Sequence, residues 1–191
     1  MAIEPSHFNH VALIGAGLIG SSLARVFRRE QLASHVTVYS RRAETRHRIK
    51  ELDFADSVVD DIRTAVSNAD LVVVSVPVSA SGAVAEAMGP HLMPGTIVTD
   101  TGSVKQAVIE AMAPHLPSPV LFVPGDPIAG TEKTGPDAGY DTLFEGRWCV
   151  LTPPGGTDEM AVSTVANMWK HAGSMVDQMS ALHHDMVLDI T

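Results

Sequence analysis

Residues 11–28 read VALIGAGLIGSSLARVFR. An apolar run at 11–14 leads straight into GAGLIG at 15–20, and Leu23, Val26 and Phe27 follow at helical spacing. The pattern predicts strand, tight turn, helix. In a dinucleotide-binding turn each glycine has its own task. Gly15 permits the sharp turn, Gly17 lets backbone approach a pyrophosphate, and Gly20 lets the helix pack close on the strand. The phosphates then meet the free N–H groups at the helix start, around Leu18 and Ile19, where the helix dipole also favours anions. A GxGxxG string alone is weak evidence. Its place between a strand and a helix is what predicts a nucleotide site here.

The bulk properties exclude several other classes. At 191 residues the chain fits one ordinary domain, or one and a small part, and 45% hydrophobic residues suffice for a full core. A net charge of −9 leaves no basic face for nucleic acid. The single cysteine, Cys149, excludes a disulfide framework and a cysteine metal cluster, and suits a reducing cytoplasm. The opening MAIEPSHFNH has no apolar core of a secretion signal, and no apolar run reaches the ~20 residues of a membrane span. Nine histidines show no ligand spacing, so no metal is predicted.

Outward from the glycine turn, residues 36–39 read as a second strand ending at Ser40, Arg41 and Arg42. An acidic residue here takes the ribose 2′-hydroxyl of NAD, whereas arginine takes the 2′-phosphate of NADP. Two arginines and no acid favour NADP over NAD. A helix at 43–52, a short strand at 57–60 and a short helix at 62–68 precede the β-branched run LVVVSV at 71–76, which Pro77 stops. Such a run is expected of a parallel strand buried on both faces. A helix at 80–92, a strand at 96–100, a helix through Met112 with Ser103 as its N-cap, and a strand at 120–123 follow. This alternation predicts an α/β fold, Rossmann-like and doubly wound, with a mostly parallel sheet. Residues 124–146 then read as a long loop dense in glycine and proline, anchored by Tyr140, Leu143 and Phe144. A strand at 148–151, a helix at 158–172, a strand at 174–178 and a helix from Ser180 complete the chain. Lys105 and Lys133 read as surface charges and Cys149 as core. His184, taken alone, reads as a surface histidine. Leu182, Met186 and Ile190 form an apolar stripe with Met179 behind it.

Several segments together resemble the prephenate/arogenate (cyclohexadienyl) dehydrogenase family. They are GAGLIGSSLA at 15–24, VSVPVSASG at 74–82, TDTGSVK at 99–105, DPIAGTEKTGPDAG at 126–139, LFEGRWCVLTP at 143–153 and HHDMVLDI at 183–190. The AGTEKTG block is the most specific. The resemblance implies an NAD(P)-dependent enzyme of tyrosine biosynthesis that oxidatively decarboxylates prephenate, arogenate or both. It implies a Rossmann-like domain over residues 1–179, including the substrate loop, and a helical dimerisation domain of which 180–191 are the first turns. A homodimer is expected when that domain is present. Val76 and Pro77 join the cofactor-binding set. Ser103 matches a site serine, Thr131 and Glu132 match residues lining the substrate pocket, and His184 falls near it. A β-hydroxyacid or imine reductase, and a nucleotide-binding module without catalysis, are the competing readings.

The resemblance departs at Asp126, where the family carries histidine. The reaction sends a hydride from the hydroxyl-bearing ring carbon to the nicotinamide, and the ring then loses CO2 and becomes aromatic. A group accepting a hydrogen bond from that hydroxyl eases the hydride's departure. Histidine, with a pKa of ~6.5, suits the role, while aspartate at ~3.9 is the weaker base. Aspartate also sets a negative charge beside a carboxylate-bearing substrate. Asp126 reads either as the acceptor or as a buttress of its loop.

Overall fold

The computed structural model describes residues 7–188. β1 (Phe8–Ile14) turns at Gly15 into α1 (Leu18–Arg29). β2 (Ala33–Tyr39), α2 (Ala43–Leu52), β3 (Ser57–Val59), α3 (Ile62–Val66), β4 (Leu71–Val74), α4 (Val78–Met88), β5 (Ile97–Asp100), α5 (Lys105–Met112) and β6 (Leu121–Phe122) continue the alternation. These six strands form one sheet in the order β3-β2-β1-β4-β5-β6, all parallel. The chain starts mid-sheet, winds outward to β3, then crosses to β4 and winds the other way. The reversal falls between β1 and β4, whose last residues Ile14 and Val74 are register partners. In such sheets the crevice beyond this point receives the ligand.

Successive strand side chains point to opposite faces. Val11 and Leu13 pack with Leu23, Phe27 and Trp169, while Ala12 and Ile14 pack with Val66, Met88 and Met112. β4 divides likewise, Val73 to the first face and Val72 and Val74 to the second. Burial on both faces explains why both strands read as unbroken apolar runs. No helix among the described residues is long and apolar enough to cross a membrane.

A second sheet holds β7 (Gly125–Pro127), β8 (Trp148–Leu151) and β9 (Met175–Gln178), with β7 antiparallel and β9 parallel to β8. The loop expected over 124–146 therefore opens as a strand. Three residues, one a proline, carry no alternation to read. They are strand because β8 supplies their hydrogen bonds, and Pro127 is tolerated because β7 is an edge. Leu143 and Phe144 are buried anchors as expected, but Tyr140 is 42% exposed, its backbone N–H donating to Ser22 Oγ at 3.0 Å. Arg48 fastens the middle of the segment by donating to Asp137 at 2.6 and 2.9 Å. α6 (Glu159–His171) covers the junction of the sheets, and Phe144 meets Trp169 edge-on at 5.1 Å. α7 (Ala181–Leu188) packs on α5, with Leu182 and Met186 exposed. Ile190 lies outside the described residues.

Phe144 and Trp169 are fully buried. Phe144→Ala is expected to cost about 3–5 kcal/mol in denaturant unfolding. Met160→Ala, at a side chain 75% exposed, should stay within about 0.5 kcal/mol. Equal effects at the two positions would contradict this mode of docking for the second sheet.

Candidate active site

The glycine turn shows the features a dinucleotide needs. Gly15 adopts φ +105°, and a Cβ there would strike the Ser75 carbonyl oxygen. A Cβ on Gly20 would strike the Gly15 carbonyl oxygen, so the helix could not sit as close to the strand. Beside Gly17 the space is open, with nothing within 4 Å of where a Cβ would stand. α1 has no side-chain cap and no acidic residue in its first turn. Its leading N–H groups are left for an anion, so the residues present fit a dinucleotide phosphate. Leu18 itself packs into the core and offers the site only its backbone.

Two cavities of about 520 and 540 Å³ meet at a ridge formed by Val76 and Pro77, which line both. Gly15, Tyr39, Ser40, Arg41 and Arg42 line the first. Arg46 steadies its rim, donating to the Ser40 and Arg41 carbonyls at 2.9 and 2.8 Å and pairing with Asp60 at 3.2 Å. Ile19, Ser103, Asp126 and Arg147 help line the second. Thr131 and Glu132 are exposed on the following loop and line neither. Arg147 escaped the sequence reading. Its only signal was a cation immediately before a buried strand.

Behind the second cavity lies a buried polar cluster. Lys105 is fully buried rather than a surface charge, because its Nζ donates to Asp100 Oδ2 and to the Gly125 carbonyl, each at 2.6 Å. Asp100 also accepts from the Gly102 and Gly125 N–H groups at 2.7 and 3.2 Å. Burial pushes the Asp100 carboxyl up, and Lys105 opposes that shift. His184, fully buried rather than on the surface, sets Nε2 at 3.1 Å from Asp126 Oδ2 and Nδ1 at 2.9 Å from Asp185 Oδ1. Asp185 in turn accepts from the N–H groups of Lys105 and Gln106 at 2.8 and 2.9 Å. The expected Ser103 cap of α5 is therefore replaced. The helix begins one position later, after Val104, without a side-chain cap from its own flank, and a carboxylate from α7 satisfies its first donors.

Asp126 is 6% exposed. Burial raises its carboxyl above the ordinary range, while Lys105 and His184 oppose the shift. Burial would also raise Asp185, but hydrogen bonds from Gln106, His184 and Lys105 hold its carboxyl below the ordinary range. Burial pushes the Cys149 thiol well up, which keeps it protonated and inert as a nucleophile.

A doubly wound parallel sheet with an open glycine cradle at its switch point defines a dinucleotide-binding domain. The chain belongs to the prephenate dehydrogenase family, since that family's nucleotide-binding domain matches residues 23–178. It is 45% identical over 184 residues to the cyclohexadienyl dehydrogenase of Zymomonas mobilis, covering 96% of this chain and 62% of that protein. It is 30% identical to the prephenate dehydrogenase of Bacillus subtilis, covering 94% of this chain and 49% of that one. The chain thus spans less than two thirds of these curated relatives. Among solved structures, Aquifex aeolicus prephenate dehydrogenase in complex with hydroxyphenyl propionate and NAD+ superposes with a TM-score of 0.87 at 31% identity, covering 94% of this chain and 63% of that chain. Synechocystis arogenate dehydrogenase gives 0.86 at 28% identity, covering 94% and 62%.

The capping carboxylate yields a pH prediction. A carboxyl held below its unfolded value stabilises the fold above that value, and the contribution is lost as pH falls through the folded one. Asp185→Ala is expected to cost about 1–2 kcal/mol near neutral pH. The gap to wild type should close below about pH 4, where the unfolded carboxyl takes up its proton. Thermal melts across pH check this, and a gap that persists unchanged into acid contradicts the capping role.

Proposed function

We infer that this chain carries the nucleotide site and part of the substrate site of an NAD(P)-dependent dehydrogenase that oxidatively decarboxylates prephenate, arogenate or both, the chemistry that leads to tyrosine. The observation that carries the reading is Asp126, a buried carboxylate on the wall of a cavity that joins the glycine cradle at Val76 and Pro77. The relatives are named cyclohexadienyl, prephenate and arogenate dehydrogenases, and the Aquifex protein was solved in complex with hydroxyphenyl propionate and NAD+.

The nicotinamide cofactor, when bound, supplies the hydride acceptor. The chain's own residues do the rest. Gly15, Gly17 and Gly20, with the N–H groups around Leu18 and Ile19, receive the pyrophosphate. Ser40, Arg41 and Arg42 take the adenosine ribose, and two guanidinium groups favour its 2′-phosphate, hence NADP. Val76 and Pro77 divide the two halves of the site. Asp126 accepts the hydrogen bond of the ring hydroxyl and draws its proton as positive charge develops at the neighbouring carbon. Ser103 offers a hydroxyl on the same wall. Arg147, the basic residue of that lining, pairs with a substrate carboxylate. Thr131 and Glu132 contact the substrate from the loop, and His184 acts from behind Asp126. The exposed Leu182 and Met186 support a homodimer formed through α7 and a helical domain continuing from it. Cytoplasmic residence accords with the lone reduced cysteine.

The intact protein is expected to reduce nucleotide in the presence of prephenate or arogenate. No reduction with either substrate and either nucleotide sinks the reading. NADP should bind more tightly than NAD, and Arg41→Ala should remove most of the difference. One charge-assisted arginine–phosphate contact is worth about 1.5–3 kcal/mol. Equal affinities in wild type would contradict the preference. Arg147→Ala should raise KM with little change in kcat, because a carboxylate contact acts equally in ground and transition states.

A further inference from the structure

The Asp126 carboxylate is not alone in its pocket. The His184 ring stands between two carboxylates, with Nε2 3.1 Å from Asp126 Oδ2 and Nδ1 2.9 Å from Asp185 Oδ1. Each contact needs one hydrogen between its heavy atoms, and ionised carboxylates bring only lone pairs. Asp185 cannot supply one readily, because both its oxygens already accept backbone N–H groups at the start of α5. Two contacts therefore need two protons. They lie on both ring nitrogens, or on Nδ1 and on Asp126 Oδ2. In either arrangement the Asp126–His184 pair holds one extra proton and carries no net charge.

We propose that Asp126 and His184 together replace a single imidazole: Asp126 presents an oxygen to the substrate hydroxyl, and the proton held with His184 cancels the carboxylate's charge. This rests on the functional reading above. It removes the objection that a carboxylate here repels an anionic substrate, since the pair meets that substrate as a neutral acceptor. The proton count closes. The hydroxyl proton passes to the other oxygen of Asp126 as the ring carbon is oxidised by the nucleotide. A proton resting on Oδ2 moves to His184 Nε2 at the same time, so that the carboxyl never carries two. When CO2 leaves, the electrons of its bond complete the aromatic ring, and the ring oxygen takes the proton back. His184, fully buried and outside the cavity lining, acts through Asp126 and is a positioning residue.

Other groups acting on Asp126 are Lys105 on α5, Asp100 at the end of β5 and Cys149 on β8, and Arg147 lines the same cavity. Lys105 and Asp100 are paired with one another, and Cys149 keeps its proton. The proton of the pair is therefore what shapes the activity profile.

Two measurements on the intact, nucleotide-bound protein decide the matter. The first is NMR of 15N-labelled histidine and 13C-labelled aspartate. Near neutral pH it should find either a doubly protonated His184 ring or a protonated Asp126 carboxyl. A singly protonated ring beside an ionised Asp126 overturns the proposal, whether or not the protein turns over any substrate. The second is His184→Gln, which keeps an N–H donor toward Asp126 but no proton to lose. KM for the anionic substrate should rise on the order of tenfold or more, as when a partner charge is removed. The alkaline fall of kcat/KM should shift or vanish, while nucleotide affinity, reporting an intact fold, stays as in wild type. A His184→Gln variant with wild-type KM and pH profile overturns the proposal. Absence of turnover in wild type removes the functional reading alone, and the NMR result still judges the pair.

Discussion

One buried ammonium holds the site in register. Lys105 Nζ joins Asp100, at the end of β5, to the carbonyl of Gly125 at the start of β7. The Gly125 N–H returns to the other oxygen of Asp100. Both backbone groups of Gly125 are thus claimed by one ion pair, and the next residue is Asp126. Removing either charge would strand the other in an apolar interior, which is far costlier than losing a surface pair. The same pair couples the two sheets, because β5 belongs to one and β7 to the other. Displacing it would move Asp126 relative to the glycine cradle.

The site divides its electrostatics across the Val76–Pro77 ridge. On one side, α1 begins with open N–H groups and no acid, which suits phosphate. On the other, three carboxylates crowd together, and each has a different answer to its own charge. Asp100 has an ammonium, Asp185 has the first donors of α5, and Asp126 has an imidazole that Asp185 orients. In a chain of net charge −9, the first turn of α1 is thus free of acids while these three carboxylates gather behind the second cavity. The arrangement also ties α7 to α5 by a capping bond, so the position of His184 depends on where α5 starts.

Much of this could be read along the chain. The strand–turn–helix at residues 11–28, the unbroken LVVV strand, the order of the first six strands' elements and the arginines after β2 all rest on short-range rules. Those rules are the alternation of side chains, the sterics of glycine and the burial of a parallel strand. The β7 strand was not readable, since three residues with a proline have no period of their own. Ser103 offered a plausible cap by local rules, but a carboxylate some eighty positions away displaced it. Lys105 reads as a surface charge, and His184 taken without the resemblance as a surface histidine, because a charged or ionisable side chain is buried only when partners await it.

Local sequence therefore determined the doubly wound frame and the glycine turn. The family resemblance drew attention to Asp126, and the tertiary structure set Asp126 on the wall of the cavity that adjoins that turn. The polar cluster behind Asp126 was decided by tertiary structure. Its members come from β5, α5, β7 and α7, and each is stable in the interior only because the others are there. Such mutual dependence among distant residues leaves no periodic trace in the chain, whereas a glycine turn or an apolar strand is set by its nearest neighbours.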